Sequence, residues 1–339
     1  MKYYFPLLVL FVASILRVYL FCSNKGLIAQ CNSQSKTEES PILAIFSKVR
    51  SSSIDMVYKI FPSPHAELLL GMVIGVDRIG DIPSFESALK RSGTTHVVVV
   101  SGFNISLVFG LVVKSLGSRY KLRNVVIAQI VTFLYSLLTG FQPPVVRAWV
   151  MGSVMAWGKY YGRAIDGLRV LIFSALVMIL VSPLIVFSLS FQLSFTACLG
   201  LVCVSGIFQK FRLPEDLSTT LSAQVFVWPL ISHYFGTVSL ISLVVNPLIL
   251  WTVPISTVLG GLFLFVGVFS LGLAKLVALS VYPFLNFFVE AVYKSGNFKF
   301  AGFPYKMSLP ALVMYYILVS FALLLISRAM KTSYGPKKD

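Results

Sequence analysis

The side chains that stand out in this chain are polar groups set inside long apolar runs. His96 opens a run that continues through Val100 and then breaks into Ser101, Gly102, Phe103 and Asn104. Arg147 follows shortly after Gly140, Phe141, Gln142, Pro143 and Pro144. Gln192 and Ser194 lie in the stretch Phe191 to Phe195, Gln224 and His233 flank Trp228 and Pro229, and Asn246 precedes Pro247. In hydrocarbon each such group needs a protein partner or a wet cavity, so each marks either a contact between helices or the wall of a path. Arg147 is the sharpest of them: a guanidinium offers a planar fork of donors suited to phosphate, and near a helix start it can also snorkel to the interface. His96 and Ser101 invite an intramembrane serine-hydrolase reading. Five helical residues put them on different sides of the helix, however, and no Walker loop, dinucleotide turn or paired catalytic carboxylates accompany them. His65, His96 and His233 are too scattered for a zinc site, and no cofactor is expected. Cys22 and Cys31 flank a polar stretch and can pair if it is extracytoplasmic, whereas Cys198 and Cys203 read as packing residues.

The elements that position these groups are helices at membrane depth. The first apolar run, Tyr3 to Phe21, lacks a cleavage pattern and reads as an uncleaved span over residues 1–22. Residues 23–64 are polar and serine-rich and read as a short extracytoplasmic loop or membrane-surface element. From Ala66 onward, apolar segments fall at about 66–76, 96–113, 124–139, 144–161, 168–187, 189–208, 217–235, 238–271, 273–292 and 308–327. Pro247 and Pro254 predict that 238–271 is two helices or one strongly bent helix. Pro83 begins a short amphipathic helix, with Phe85, Ala88 and Leu89 opposite Glu86, Lys90 and Arg91, expected to lie at the membrane interface.

Composition agrees with lipid as the solvent. The 339 residues are 57% hydrophobic and only 12% charged, and the mean hydropathy is +0.86. A soluble domain spends about a quarter of its residues on charge, and disordered, collagenous and disulfide-stapled chains are excluded by the same figures. At roughly 30 residues per span and connection, the expected fold class is all-α: a polytopic transmembrane helical bundle of about ten spans, some broken or kinked. The net charge of +16 sits mostly in loops. Lys114, Arg119, Lys121 and Arg123 crowd one connection, Lys159, Arg163 and Arg169 a second, Lys210 and Arg212 a third, while the connections between them are uncharged. By the positive-inside rule those basic loops are cytoplasmic, as are both termini, so most of the charge serves topology.

Several blocks in order resemble one family. Leu68 to Gly71, Asp77 to Gly80, Phe85, Ala88, Leu89, Gly93, His96 and Val100 to Gly102 form the first. Tyr135 to Gly140 with Pro144, Val146, Arg147, Ala148 and Met151 form the second; Pro183, Phe187 and Phe191 to Phe195 the third; Gln224, Pro229, Phe235, Gly236, Asn246 and Pro247 the fourth. Together they resemble the membrane competence domain of the ComEC family of competence proteins, here over residues 65–330 and followed by a basic cytoplasmic tail, 331–339. Asn104 stands where many of that family carry histidine. Residues 22–64 are too few for the family's oligonucleotide-binding domain, and no histidine-rich motif answers to its nuclease domain. The resemblance implies a non-enzymatic inner-membrane channel that passes single-stranded DNA into the cytoplasm. Its implied partners are single-stranded DNA, the lipid bilayer, other competence proteins (a DNA receptor, a separate nuclease and a cytoplasmic motor) and a second copy of the chain. Arg147, His96, Arg78 and Arg91 would then supply positive potential. Ser101, Asn104, Gln192, Gln224 and Asn246 would line the path, and Phe103, Phe141 or Trp149 would stack on bases. Two alternatives stay open: a channel or transporter for another anionic solute, and an intramembrane enzyme using His96 and Ser101.

Overall fold

The computed structural model describes residues 12–14, 16, 41–98, 100–117, 121–210, 214–298 and 302–333. Cys22, Cys31 and the tail from residue 334 lie outside the described residues. The elements are α1 (Pro41–Ile60), α2 (His65–Ile74), α3 (Pro83–Ser92), α4 (Thr95–Val98), α5 (Gly102–Ser115), α6 (Leu122–Leu138) and α7 (Pro143–Tyr160). They continue as α8 (Gly167–Val181), α9 (Leu189–Lys210), α10 (Glu215–Phe235), α11 (Ser242–Leu250), α12 (Thr252–Phe269), α13 (Leu271–Gly296) and α14 (Leu309–Ser333). Apart from one two-residue antiparallel pairing, β1 (Thr237–Val238) with β2 (Phe303–Pro304), regular structure among the described residues is helical. Among the described residues four stretches are long and apolar enough to cross a membrane: Thr95–Ser115, Leu189–Gln209, Ser242–Phe269 and Leu271–Gly296. Four further apolar helices among the described residues are shorter: His65–Ile74, Leu122–Leu138, Gly167–Val181 and Leu309–Leu323.

Residues 41–60 are a helix, not loop. Ile54, Val57, Ile60 and Phe61 recur at helical spacing and pack into the core, with Val57 and Phe61 buried. The serines that disguise this pattern stay helical by bonding back along the backbone, Ser51 Oγ to Lys48 O and Ser53 Oγ to Val49 O. The turn at 61–64 returns the chain as α2, every residue of which is buried. This hairpin is inserted among α12 and α13: Gly260 accepts Leu69 and Val73 against it, Gly267 accepts Met56, and Phe61 meets Phe263 edge to face at 5.3 Å. Glycines at these crossings let helices approach closely, which is how packing replaces the hydrophobic effect between helices in lipid.

The amphipathic helix forms as expected, but its apolar face packs on protein. Phe85 and Leu89 of α3 are fully buried, Ala88 lies on Gly296 of α13, and Lys90 pairs with Glu86 on the outer face at 2.5 Å. The stretch 238–271 is divided into two helices, α11 and α12, which meet at Trp251, whose backbone remains helical (φ −67°, ψ −24°). Pro254 lacks the N–H that would bond Leu250 O, so the ladder is interrupted there. Pro229 interrupts α10 in the same way, leaving Val225 O without its helical donor. Two phenols of α14 answer: Tyr315 Oη donates to Val225 O at 2.9 Å and Tyr316 Oη to Phe226 O at 2.6 Å. Gly200 lets α9 close onto the Ser222 backbone of α10. At the other end of the chain, Ser14 Oγ donates to Leu176 O of α8 at 3.3 Å.

Candidate functional site

The expected break after Val100 is present. Helix α4 stops at Val98, Ser101 is extended (φ −101°, ψ 162°), and α5 starts at Gly102. Glycine at 102 lets α5 start tight against α7: a β-carbon there would meet Ala148 Cβ at 3.0 Å, Arg147 Nη2 at 3.1 Å and Pro144 O at 3.2 Å. The break therefore seats the first turns of α7, which its prolines at the start pre-organise. Arg147 does not snorkel. Its Nη1 donates to the main-chain oxygen of Ser194 on α9, and its guanidinium carbon stands 5.8 Å from the Phe195 ring centroid. Among the described residues no carboxylate forms an ion pair with it. Arg147 Nε and Ser194 Oγ are both buried without a hydrogen-bond partner. The contact of α5, α7 and α9 thus holds a fixed cation with a spare donor and a spare hydroxyl, a set that accepts an anionic oxygen.

Beside it, four side chains converge on the C-terminal carbonyls of α2. Asn104 Nδ2 donates to Met72 O and Tyr135 Oη to Val73 O, both at 2.9 Å. Gln142 Nε2 and Arg50 Nη2 donate to Gly75 O at 2.8 and 3.3 Å. A helix leaves its last carbonyls unpaired, and α2 ends where every neighbour is protein, so side chains from α1, α5, α6 and the α6–α7 connection must supply the donors. Asn104, only 1% exposed, is thereby occupied, although its Oδ1 has no partner. Arg50 and this capping duty of Tyr135 and Gln142 went unseen in the sequence, where only polarity next to an uncharged connection hinted at them.

The remaining expected path residues fall elsewhere. Gln192 ties Val186 O at 3.0 Å to the Tyr234 hydroxyl at 3.0 Å. Gln224 donates to Ser242 Oγ at 3.1 Å, and Asn246 lies one turn beyond Ser242 on α11; the amide oxygens of both are buried without partners. His96 and Arg78 are exposed, the latter 5.9 Å above the Tyr58 ring. No hydrogen bond joins His96 to Ser101, so the nucleophile–base contact of a hydrolase is not formed. Phe141 and Trp149 both pack on Phe133, at 5.8 and 5.3 Å, while Phe103 is exposed. Among the described residues no three histidine, cysteine or acidic side chains are grouped to hold a metal.

Comparison with known proteins adds a family. The family model described as "Competence protein" matches residues 78–329. ComE operon protein 3 of Bacillus subtilis is 25% identical over 206 residues, covering 59% of this chain and 26% of that protein. An uncharacterized protein of Aquifex aeolicus is 30% identical over 165 residues, 48% of this chain and 39% of its own length. The uncharacterized protein MG316 homolog of Mycoplasma pneumoniae is 28% identical over 150 residues, 44% of this chain and 38% of its own. The chain therefore spans between a quarter and two fifths of the curated relatives it matches. No solved structure matches it.

Proposed function

This chain belongs to the competence protein family, and from that premise we propose that it is an inner-membrane passage for single-stranded DNA entering the cytoplasm. The observation that carries the reading is Arg147: a guanidinium among three helices, without a carboxylate, beside an unpartnered hydroxyl and a helix break. A structural ion pair would neutralise such a charge, whereas a passage for phosphates needs it available and not so deep that it traps them. Arg78 and Arg91 are exposed and would gather the strand at the entrance. Ser101, Gln192 and His96 are the polar groups a moving strand would meet, with the unpartnered amide oxygens of Gln224 and Asn246 behind them, whereas Asn104 is kept from it by its bond to Met72 O. In this reading the four shorter apolar helices, together with α7 and α10, are tilted or partial crossings that bring the count from four to about ten, both termini are cytoplasmic, and other competence proteins supply receptor, nuclease and motor. No catalytic step is assigned to the chain. The name of the Bacillus subtilis relative supports this reading against a passage for another anionic solute.

The test follows labelled duplex DNA added to cells carrying the wild-type chain, a deletion, Arg147→Ala or Arg147→Lys. The deletion should still accumulate surface label but lose label protected inside the cytoplasmic membrane. Arg147→Ala should lose most of it and Arg147→Lys should retain part, because the charge survives without the fork. Unchanged cytoplasmic label in the deletion, with no second related gene, would move the solute-channel reading ahead.

A further inference from the structure

The far end of α7 carries a second constellation that the passage reading does not use. Trp157, Tyr160 and Tyr161 form a three-ring cluster: Tyr160 and Tyr161 meet edge to face at 4.9 Å, and Trp157 lies 5.8 and 6.2 Å from them. The cluster is held rather than loose. Trp157 Nε1 donates to Gln129 Oε1 of α6 at 3.2 Å, while Trp149 Nε1 donates to Gln129 O. The helix then closes in a Schellman motif, with Gly162 at φ 65°, Gly162 N donating to Lys159 O and Arg163 N to Gly158 O. Ile165 folds back onto Gly158, fixing the connection. The result presents Tyr161 just past the last turn, 66% exposed, with the exposed Arg163 two residues on.

The charge around these rings is one-sided. Because α6 and α7 are antiparallel neighbours joined through Gln129, the start of α6 brings Lys121 and Arg123 to the same end as Lys159 and Arg163. Asp166 is the sole carboxylate in the connection after α7, and it is engaged with Arg169 at 3.4 Å and with Leu168 N at 2.9 Å. Fixed aromatic faces beside a basic groove bind single strands without regard to sequence, the rings taking bases and the cations phosphates. A belt of rings at the lipid headgroups needs only amphipathic side chains, not a capped connection that leaves a tyrosine and an arginine exposed two residues apart.

We propose that Trp157, Tyr160, Tyr161 and Arg163 form a stacking platform for unpaired bases at the end of α7 opposite Arg147. The proposal rests on the DNA reading and names where the strand is received. Thirteen residues of helix separate Arg147 from Tyr160, about 20 Å, so a strand passing the first would reach the second within a few nucleotides.

The experiment uses the whole chain in nanodiscs and an unlabelled oligo(dT), reading the tryptophan quenching that Trp157→Phe removes. A dye-labelled oligo(dT) reports overall binding in parallel. Oligo(dT) should quench Trp157 at low salt, the quench should fade steeply as salt rises, and Tyr161→Ala should weaken it about tenfold while Tyr161→Phe leaves it within about twofold. If the labelled strand binds but Trp157 does not respond and Tyr161→Ala has no effect, the platform is overturned while the passage reading stands. If brominated lipid quenches Trp157 equally with and without oligo(dT), the rings are a headgroup belt and the platform is overturned. If the labelled strand does not bind at any salt, both readings fall.

Discussion

At the scale of single residues, polar groups at membrane depth divide by what they already hold. Arg147 keeps a donor in reserve beside an unpartnered hydroxyl, whereas Tyr135 and Asn104 spend theirs on carbonyls of α2 that have no other donor. Removing such a donor leaves a buried oxygen unpaired, so Tyr135→Phe should destabilise the protein by about 1–3 kcal/mol, read as a lower melting temperature in detergent. Asn104→Leu should do the same. Asn104→His should not, because an imidazole N–H can also donate to Met72 O; a histidine variant as unstable as the leucine one would show that the site demands an amide. The sequence made Arg147 and Asn104 conspicuous but left open what each touches. Type and local spacing say that a guanidinium at this depth needs company; only the meeting of α5, α7 and α9 says that the company is Ser194 O and Phe195.

Among the elements, prolines and glycines decide where helices bend and touch. The break at Ser101 and the division of helices at Trp251 were both legible, because Ser-Gly and two prolines interrupt otherwise continuous apolar runs. Helix α1 was not, since its serines lower the apolar signal while its buried face uses only every third or fourth residue. Nor could the partner of α3 be read, because an amphipathic face looks the same whether lipid or another helix covers it. Pro229 offers a test of how elements compensate one another. With proline present, Tyr315 Oη is the donor to Val225 O, so Tyr315→Phe should cost about 1 kcal/mol. In a Pro229→Ala background, residue 229 regains an N–H for that carbonyl, and the same phenylalanine should cost almost nothing. A double-mutant cycle on detergent melting measures the coupling; additive losses would mean that the tyrosine stabilises α14 by some other contact.

Across the whole molecule, the proposed passage has a direction that the charge pattern supplies. Arg147, Gln142 and Gly75 gather at one end of the α6–α7 hairpin, and Lys121, Arg123, Lys159 and Arg163 at the other. If the basic end faces the cytoplasm, as the positive-inside rule requires, a strand meets the buried guanidinium first and the aromatic platform last. Orientation is thus a premise of both proposals and is measurable without any DNA. With the four native cysteines replaced by alanine, Arg163→Cys on the α7–α8 connection and Ser190→Cys at the start of α9 each place one thiol at an exposed position, at ends of α8 with opposite expected sides. In intact spheroplasts a membrane-impermeant maleimide should label Ser190→Cys, and it should reach Arg163→Cys only after permeabilisation. The reverse pattern would put the three-ring cluster on the outer face, where it would have to be an entry site, and the order of contacts along the strand would invert. Labelling of both thiols from outside would mean that α8 does not cross at all, and the span count would fall accordingly. Fifteen helical residues reach only about 22 Å, short of the roughly 30 Å hydrocarbon core, so α8 is the crossing on which the topology turns.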